Sequence, residues 1–183
     1  LLPPNQQYSE VKLPNIERRQ PRKLIVEILA FYLGNNHFHL MLRQKGKNGI
    51  TLFMRKFGTG YTNYFNQKYE RVGSLFQGPF KASLIKTEDY FIHLPYYIHL
   101  NALDSIAPEW RDRKIKNINK AIKFLDSYKW SSHLDYLGKK NFPSITQRKF
   151  LMEFWGGPEQ YRKSIIKWLE ELNLEEMKPI ILE

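Results

Sequence analysis

The stretch from Leu24 to Arg43 constrains this chain more than any other. Residues 24–33, LIVEILAFYL, are almost uninterruptedly apolar and rich in β-branched and aromatic side chains. That composition suits a strand buried on both faces, although a short helix fits an unbroken apolar run equally well. Gly34-Asn35-Asn36 then supplies turn chemistry, and His37 to Arg43 alternates, so the pair reads as a β-hairpin. On its second strand His37, His39 and Met41 share one face while Phe38, Leu40 and Leu42 share the other. With apolar neighbours on both sides, that strand reads as central. Two histidines two apart on a strand project the same way, roughly 6–7 Å apart, close enough to grip one ion. A pair of polar residues on a solvent face is the alternative.

Downstream the period changes. Leu52, Phe53, Phe57, Tyr61, Tyr64 and Phe65 recur at helical spacing, predicting a helix from Ile50 to Tyr69 that contains Gly58 and Gly60. Residues 73–79 are turn-rich, and 80–86 (FKASLIK) reads as a third strand. Thr87-Glu88-Asp89 resembles a helix start, with the helix running to about Asn101. Pro95 lies inside it, as a kink or as a restart just before Tyr97. The order strand, strand, helix, strand, helix predicts an α+β fold: an antiparallel sheet with helices on one face. Residues 1–22 read as a lead-in loop and 23–103 as the main domain. Residues 104–183 read as a helical C-terminal extension, with a helical period through Ile115, Ile118, Ile122 and Leu125 and two further helices over Phe150–Phe154 and Tyr161–Leu172.

Charge narrows the partners. Against 29 Lys and Arg stand 18 Asp and Glu, a net +11, so a polyanion is the expected partner. No apolar run reaches the roughly 18 residues needed to cross a bilayer. The absence of cysteine excludes disulfide scaffolds and cysteine-based zinc sites. Lys45 and Lys47 flank the histidine strand, and Arg111, Arg113, Lys114 and Lys116 form a local concentration. Both groups are candidates for nucleic-acid contact, with Tyr61, Tyr64 and Tyr69 offering rings on which unpaired bases stack. A merely solvated face is the other reading of each cluster. The segment from Glu170 to Glu183 is acidic and is expected to contact nothing anionic.

Tyr97 and Asn101, four apart, occupy one face of the predicted helix, with His93 one turn earlier. A tyrosine hydroxyl titrates near pH 10 and needs a metal, a base or a hydrogen bond to become a nucleophile. Asn101 offers a neutral oxygen suited to magnesium or manganese, and His93 is a candidate accessory ligand or proton carrier.

These residues carry a resemblance. Residues 29–40, LAFYLGNNHFHL, resemble the histidine segment of the REP-associated tyrosine transposases, members of the HUH superfamily, and of related insertion-sequence transposases. Tyr97-Ile98-His99-Leu100-Asn101 resembles their tyrosine helix, and Gly78-Pro79-Phe80-Lys81 resembles their entry to a strand. Residues 130–138, WSSHLDYLG, are similar to a segment frequent in that family. Together the four cover roughly residues 24–140 in order. The resemblance implies a ferredoxin-like sheet, with the family's first strand missing or upstream. It implies that His37, His39 and Asn101 hold Mg²⁺ or Mn²⁺ and that Tyr97 attacks a phosphate of single-stranded or hairpin DNA. A 5′-phosphotyrosine and a free 3′-OH would result. A homodimer, with the tyrosine helix serving its own chain or its partner's, and a cytoplasmic, nucleoid-associated location are further expectations. The alternative is a domesticated hairpin DNA- or RNA-binding protein of the same fold that no longer cuts.

Overall fold

The computed structural model describes residues 23–112 and 114–171. The expectations for the lead-in, for Arg113 and for most of the acidic tail lie outside those residues. The hairpin forms as its sequence demands. β1 (Val26–Leu33) and β2 (Phe38–Gln44) pair antiparallel, with Tyr32 opposite His39, Phe31 opposite Leu40 and Glu27 opposite Arg43. A bulge between Ile28 and Ala30 leaves Leu29 without an opposite residue. The turn requires glycine at 34, because a Cβ there would stand 2.6 Å from the Tyr32 hydroxyl and 3.0 Å from the His37 carbonyl.

The sheet has these two strands among the described residues, so β2 has a strand neighbour on one side and is not central. β1 is the flanked one. Its outer edge is taken up by the chain from 128 to 147 rather than by a strand. Leu33 N–H donates to the Trp130 carbonyl (2.8 Å), Ser132 N–H to the Phe31 carbonyl (3.0 Å) and Gln147 N–H to the Ile28 carbonyl (2.8 Å). Side chains complete the edge. Ser132 Oγ accepts from Phe31 N–H at 2.9 Å, while the Tyr128 and Tyr136 hydroxyls donate to the carbonyls of Leu33 and Leu29. The backbone polar groups of a buried strand must find partners, and here distant side chains supply several of them.

Helix α1 (Gly49–Lys68) runs unbroken through Gly58 and Gly60. Its Phe57 ring meets Phe38 at 5.3 Å, whereas the next residue of β2, His39, turns to α2 (Glu88–Leu100). The expected third strand over 80–86 does not form. That segment is mostly exposed and joins no ladder, and the outer edge of β1 is already occupied by the chain from 128 to 147. Thr87 caps α2 as expected, accepting from Tyr90 N–H, and the helix continues through Pro95 without a restart.

Beyond α2, two 3-10 turns (Asn101–Ser105 and Pro108–Asp112) lead into α3 (Ile118–Leu125), α4 (His133–Tyr136), α5 (Lys149–Trp155) and α6 (Pro158–Glu171). One hydrophobic core joins these to the hairpin: Leu29, Tyr32 and Met41 share it with Tyr96, Trp110, Tyr136, Leu151, Tyr161 and Ile165. No helix of the described residues is long and apolar enough to cross a membrane.

Candidate active site

The C-terminal half of α2, from Pro95 to Leu100, is wholly buried, so the two adjacent tyrosines are aimed by helix geometry into different surroundings. Successive residues turn by about 100°. Tyr96 packs on Trp155, Tyr161 and Trp168, and burial pushes its hydroxyl up to about 12. Tyr97 faces the hairpin instead, its ring edge-on to His39 at 6.0 Å and tilted against Trp110 at 5.8 Å.

Arg111 organises what surrounds the Tyr97 hydroxyl. Its Nη1 donates to Tyr97 Oη at 2.8 Å and its Nη2 to Asn101 Oδ1 at 2.8 Å. Nε and Nη2 also fork onto the Asp104 carboxylate, at 3.2 and 2.8 Å. Asp104 in turn accepts from Trp110 Nε1 at 2.6 Å, and the guanidinium lies 4.9 Å from the Trp110 ring centroid. Burial works against the Arg111 charge, yet its bonds to Asp104 and Tyr97 outweigh it and hold the group more firmly protonated than usual. Arg111, expected as one of a basic group that contacts nucleic acid, thus lies on the tyrosine with its side chain about a quarter exposed.

Asn101 closes α2. Its amide donates to the Tyr97 carbonyl at 2.7 Å, and its oxygen, the expected metal ligand, faces Arg111. His37 and His39 do lie on one side of the hairpin, their ring centroids 5.2 Å apart, with Tyr32 beside both. His37 sits one residue before β2, is exposed, and its Nδ1 pairs with Asn36 Oδ1 at 2.8 Å. Two imidazoles sharing an ion about 2.1 Å from a nitrogen of each have centroids roughly 4.5–5.2 Å apart. The pair fits that spacing. The third donor fits less directly, because the Asn101 oxygen already accepts from a cationic group. Among the described residues no cluster of three or more His, Cys, Asp or Glu side chains gathers. His93 is turned to α6, where its ring stacks on Trp168 and its Nδ1 accepts from the indole N–H at 3.0 Å.

A second polar assembly lies behind the tyrosine, and sequence reasoning missed it. His99 Nε2 meets Ser132 Oγ at 2.7 Å, and His99 Nδ1 meets Tyr161 Oη at 2.7 Å. Tyr161 Oη also meets His133 Nδ1 at 2.7 Å, and His133 Nε2 lies 3.2 Å from Asp126, which pairs with Arg162. Hydrogen-bond logic assigns every proton once both histidines are neutral. Asp126, an ionised acceptor, requires the proton on His133 Nε2. His133 Nδ1 then accepts from Tyr161, Tyr161 from His99 Nδ1, His99 Nε2 from Ser132, and Ser132 from Phe31 N–H. Burial keeps His99 well below the ordinary histidine value, aided by His133 facing it. Burial also lowers His133, against the pull of Asp126. The signals in the sequence were the segment WSSHLDYLG, whose Ser132 and His133 are two links of this chain, and the tyrosine-helix segment that contains His99.

On the surface, Lys45 pairs with Glu27, while Lys47, Lys114 and Lys116 are exposed. Tyr61, Tyr64 and Tyr69 line α1 and its end as partly exposed rings, and Lys68 lies 5.8 and 5.5 Å from the ring centroids of Tyr64 and Tyr69. No protein-family model, no curated protein and no solved structure matches this chain.

Proposed function

We propose that this protein is a metal-dependent single-stranded DNA transesterase that cleaves and rejoins DNA through a 5′-phosphotyrosine on Tyr97. One observation carries the reading: within a single chain, two histidines from the hairpin and one tyrosine from α2 converge, with a guanidinium on the tyrosine oxygen. The resemblance to HUH transposases and the net +11 charge point to the same substrate. A ferredoxin-like arrangement, of which β1, β2, α1 and α2 would be part, belongs to this proposal.

The residues divide the work. Tyr97 Oη forms the new bond to phosphorus as the P–O3′ bond breaks, and the proton lost from tyrosine ends on the departing 3′ oxygen. His37 and His39 would hold Mg²⁺ or Mn²⁺, joined by Asn101 if its oxygen is released from Arg111. The ion supplies polarisation of the scissile phosphate and offsets its developing charge. His39 would be the ligand nearer the nucleophile, its ring 6.0 Å from that of Tyr97. Exposed rings on α1 beside Lys68 would stack unpaired bases while cations meet the backbone. Phosphodiester energy is retained in the covalent link, so no nucleotide cofactor is required.

The test is incubation with end-labelled single-stranded and hairpin DNA plus Mn²⁺, resolved on a denaturing gel. The expected result is a covalent adduct formed by the native protein and not by Tyr97→Phe, with DNA binding nearly unchanged. Tight hairpin binding without an adduct from any substrate would favour the non-cleaving binding protein instead.

A further inference from the structure

We propose that Arg111 is a catalytic residue: it stabilises negative charge on Tyr97 Oη when that oxygen attacks and again when it leaves. This rests on the transesterase reading, which it deepens by assigning the group that makes a weak nucleophile usable. Three observations support it. Arg111 Nη1 is 2.8 Å from the oxygen that reacts, within charge-assisted hydrogen-bonding distance. The guanidinium is held there by the Asp104 fork and the Trp110 ring, contacts that remain when Asn101 turns to the ion, so little reorganisation is needed as charge develops. It is also partly withdrawn from solvent, its side chain about a quarter exposed, which strengthens its field at the phenolic oxygen relative to a surface cation.

In cleavage the Tyr97 O–H bond breaks, O–P forms and P–O3′ breaks, with the proton finishing on the 3′ oxygen. In rejoining the same bonds reverse, and the tyrosine departs as an oxyanion facing Arg111. One donor thus serves both directions, and no redox partner is involved. A purely structural clamp, tying α2 to the second 3-10 turn, is the competing role for the same contacts. It would lower stability and leave the chemistry's pH dependence alone.

Three variants separate the two: Arg111→Gln, Arg111→Lys and, as reference, Tyr97→Phe. In single-turnover cleavage, Arg111→Gln should slow the reaction about 100-fold, in keeping with loss of one oxyanion donor. Its rate-versus-pH curve should also move to higher pH, with DNA affinity within about twofold. Arg111→Lys, which keeps a cation, should recover much of the rate and restore the native curve. A rate loss in Arg111→Gln with an unmoved pH curve would overturn the proposal. An arm independent of activity follows the phenolate absorbance of folded protein, with Tyr97→Phe subtracted to isolate Tyr97. Tyr97 should ionise at higher pH when Arg111 is Gln than when it is Arg or Lys. If no adduct forms with any DNA, the transesterase reading fails, and this titration still decides whether Arg111 activates the hydroxyl. An unmoved titration overturns that role. Should Arg111→Gln fail to fold, Arg111→Lys against the native protein carries the comparison: a Lys variant that titrates and cuts as though no cation were present would refute it.

Discussion

Tyr96 and Tyr97 are neighbours in sequence and strangers in structure. One is wedged among Trp155, Tyr161 and Trp168, the other set between His39 and Arg111. Tyr96→Phe should therefore leave cleavage intact, because it deletes a hydroxyl remote from the histidines and keeps the ring that fills the core. His39→Ala should abolish cleavage and lower affinity for Mn²⁺, and millimolar-scale Mn²⁺ should restore part of the rate; gel assays over a manganese series read both effects. Had Tyr96→Phe lost the adduct while Tyr97→Phe kept it, the assignment would be reversed. At this scale the sequence was legible where chemistry depends on near neighbours. Residues two apart on a strand, or four apart on a helix, share a face by local geometry alone. The contacts of Arg111 were not legible, because its partner Asp104 lies seven residues away across an irregular 3-10 segment, where no fixed period says which way a side chain turns.

At the scale of elements, α1 is an inexpensive place to gain stability. Gly60 is exposed in mid-helix, and an added Cβ there would meet nothing within 4 Å. Gly60→Ala should raise stability by about 0.5–1 kcal/mol, seen as a higher urea midpoint at unchanged slope. Gly49 behaves oppositely, since a Cβ would lie 2.4 Å from the Ile25 carbonyl. Ser132→Ala should cost about 1–3 kcal/mol, because it leaves the buried Phe31 N–H and His99 Nε2 without their partner; an unchanged melting temperature would show that water replaces the hydroxyl. The hairpin, α1, α2, α3, α5 and α6 could be read from period and caps, whereas the short α4 could not. The failed strand at 80–86 could not. Strand formation needs an edge to pair with, and one of the hairpin's two edges, that of β1, is taken by residues 128–147. No local pattern carries that information.

For the whole molecule, the buried histidines set the response to acid. His99 and His133 are neutral when folded, both lowered by burial, whereas in the unfolded chain they protonate near pH 6.5. Below that point the unfolded state binds more protons, so stability is complete above about pH 6.5 and declines as pH falls. Asp126 is held below its ordinary value by His133 and Arg162 against the effect of burial, and its share disappears only at still lower pH. Thermal melts from about pH 7.5 to about pH 5 should show a falling Tm, as the unfolding free energy drops by at most roughly 1.4 kcal/mol per pH unit per histidine. His99→Gln should flatten that dependence, and a Tm independent of pH over this range would mean that the pair is charged when folded.

The borrowed edge of β1 also has a bearing on synthesis. Phe31 finds its partner Ser132 across a separation of 101 residues, which translation crosses in roughly 5–20 s. Throughout that interval β1, the more apolar of the two described strands, waits for the chain that completes its outer edge. The hairpin is thus the segment of the nascent chain that a holding chaperone should grip, and ribosomes stalled before Ser132 should display it in a protease-sensitive form that completion of the chain removes.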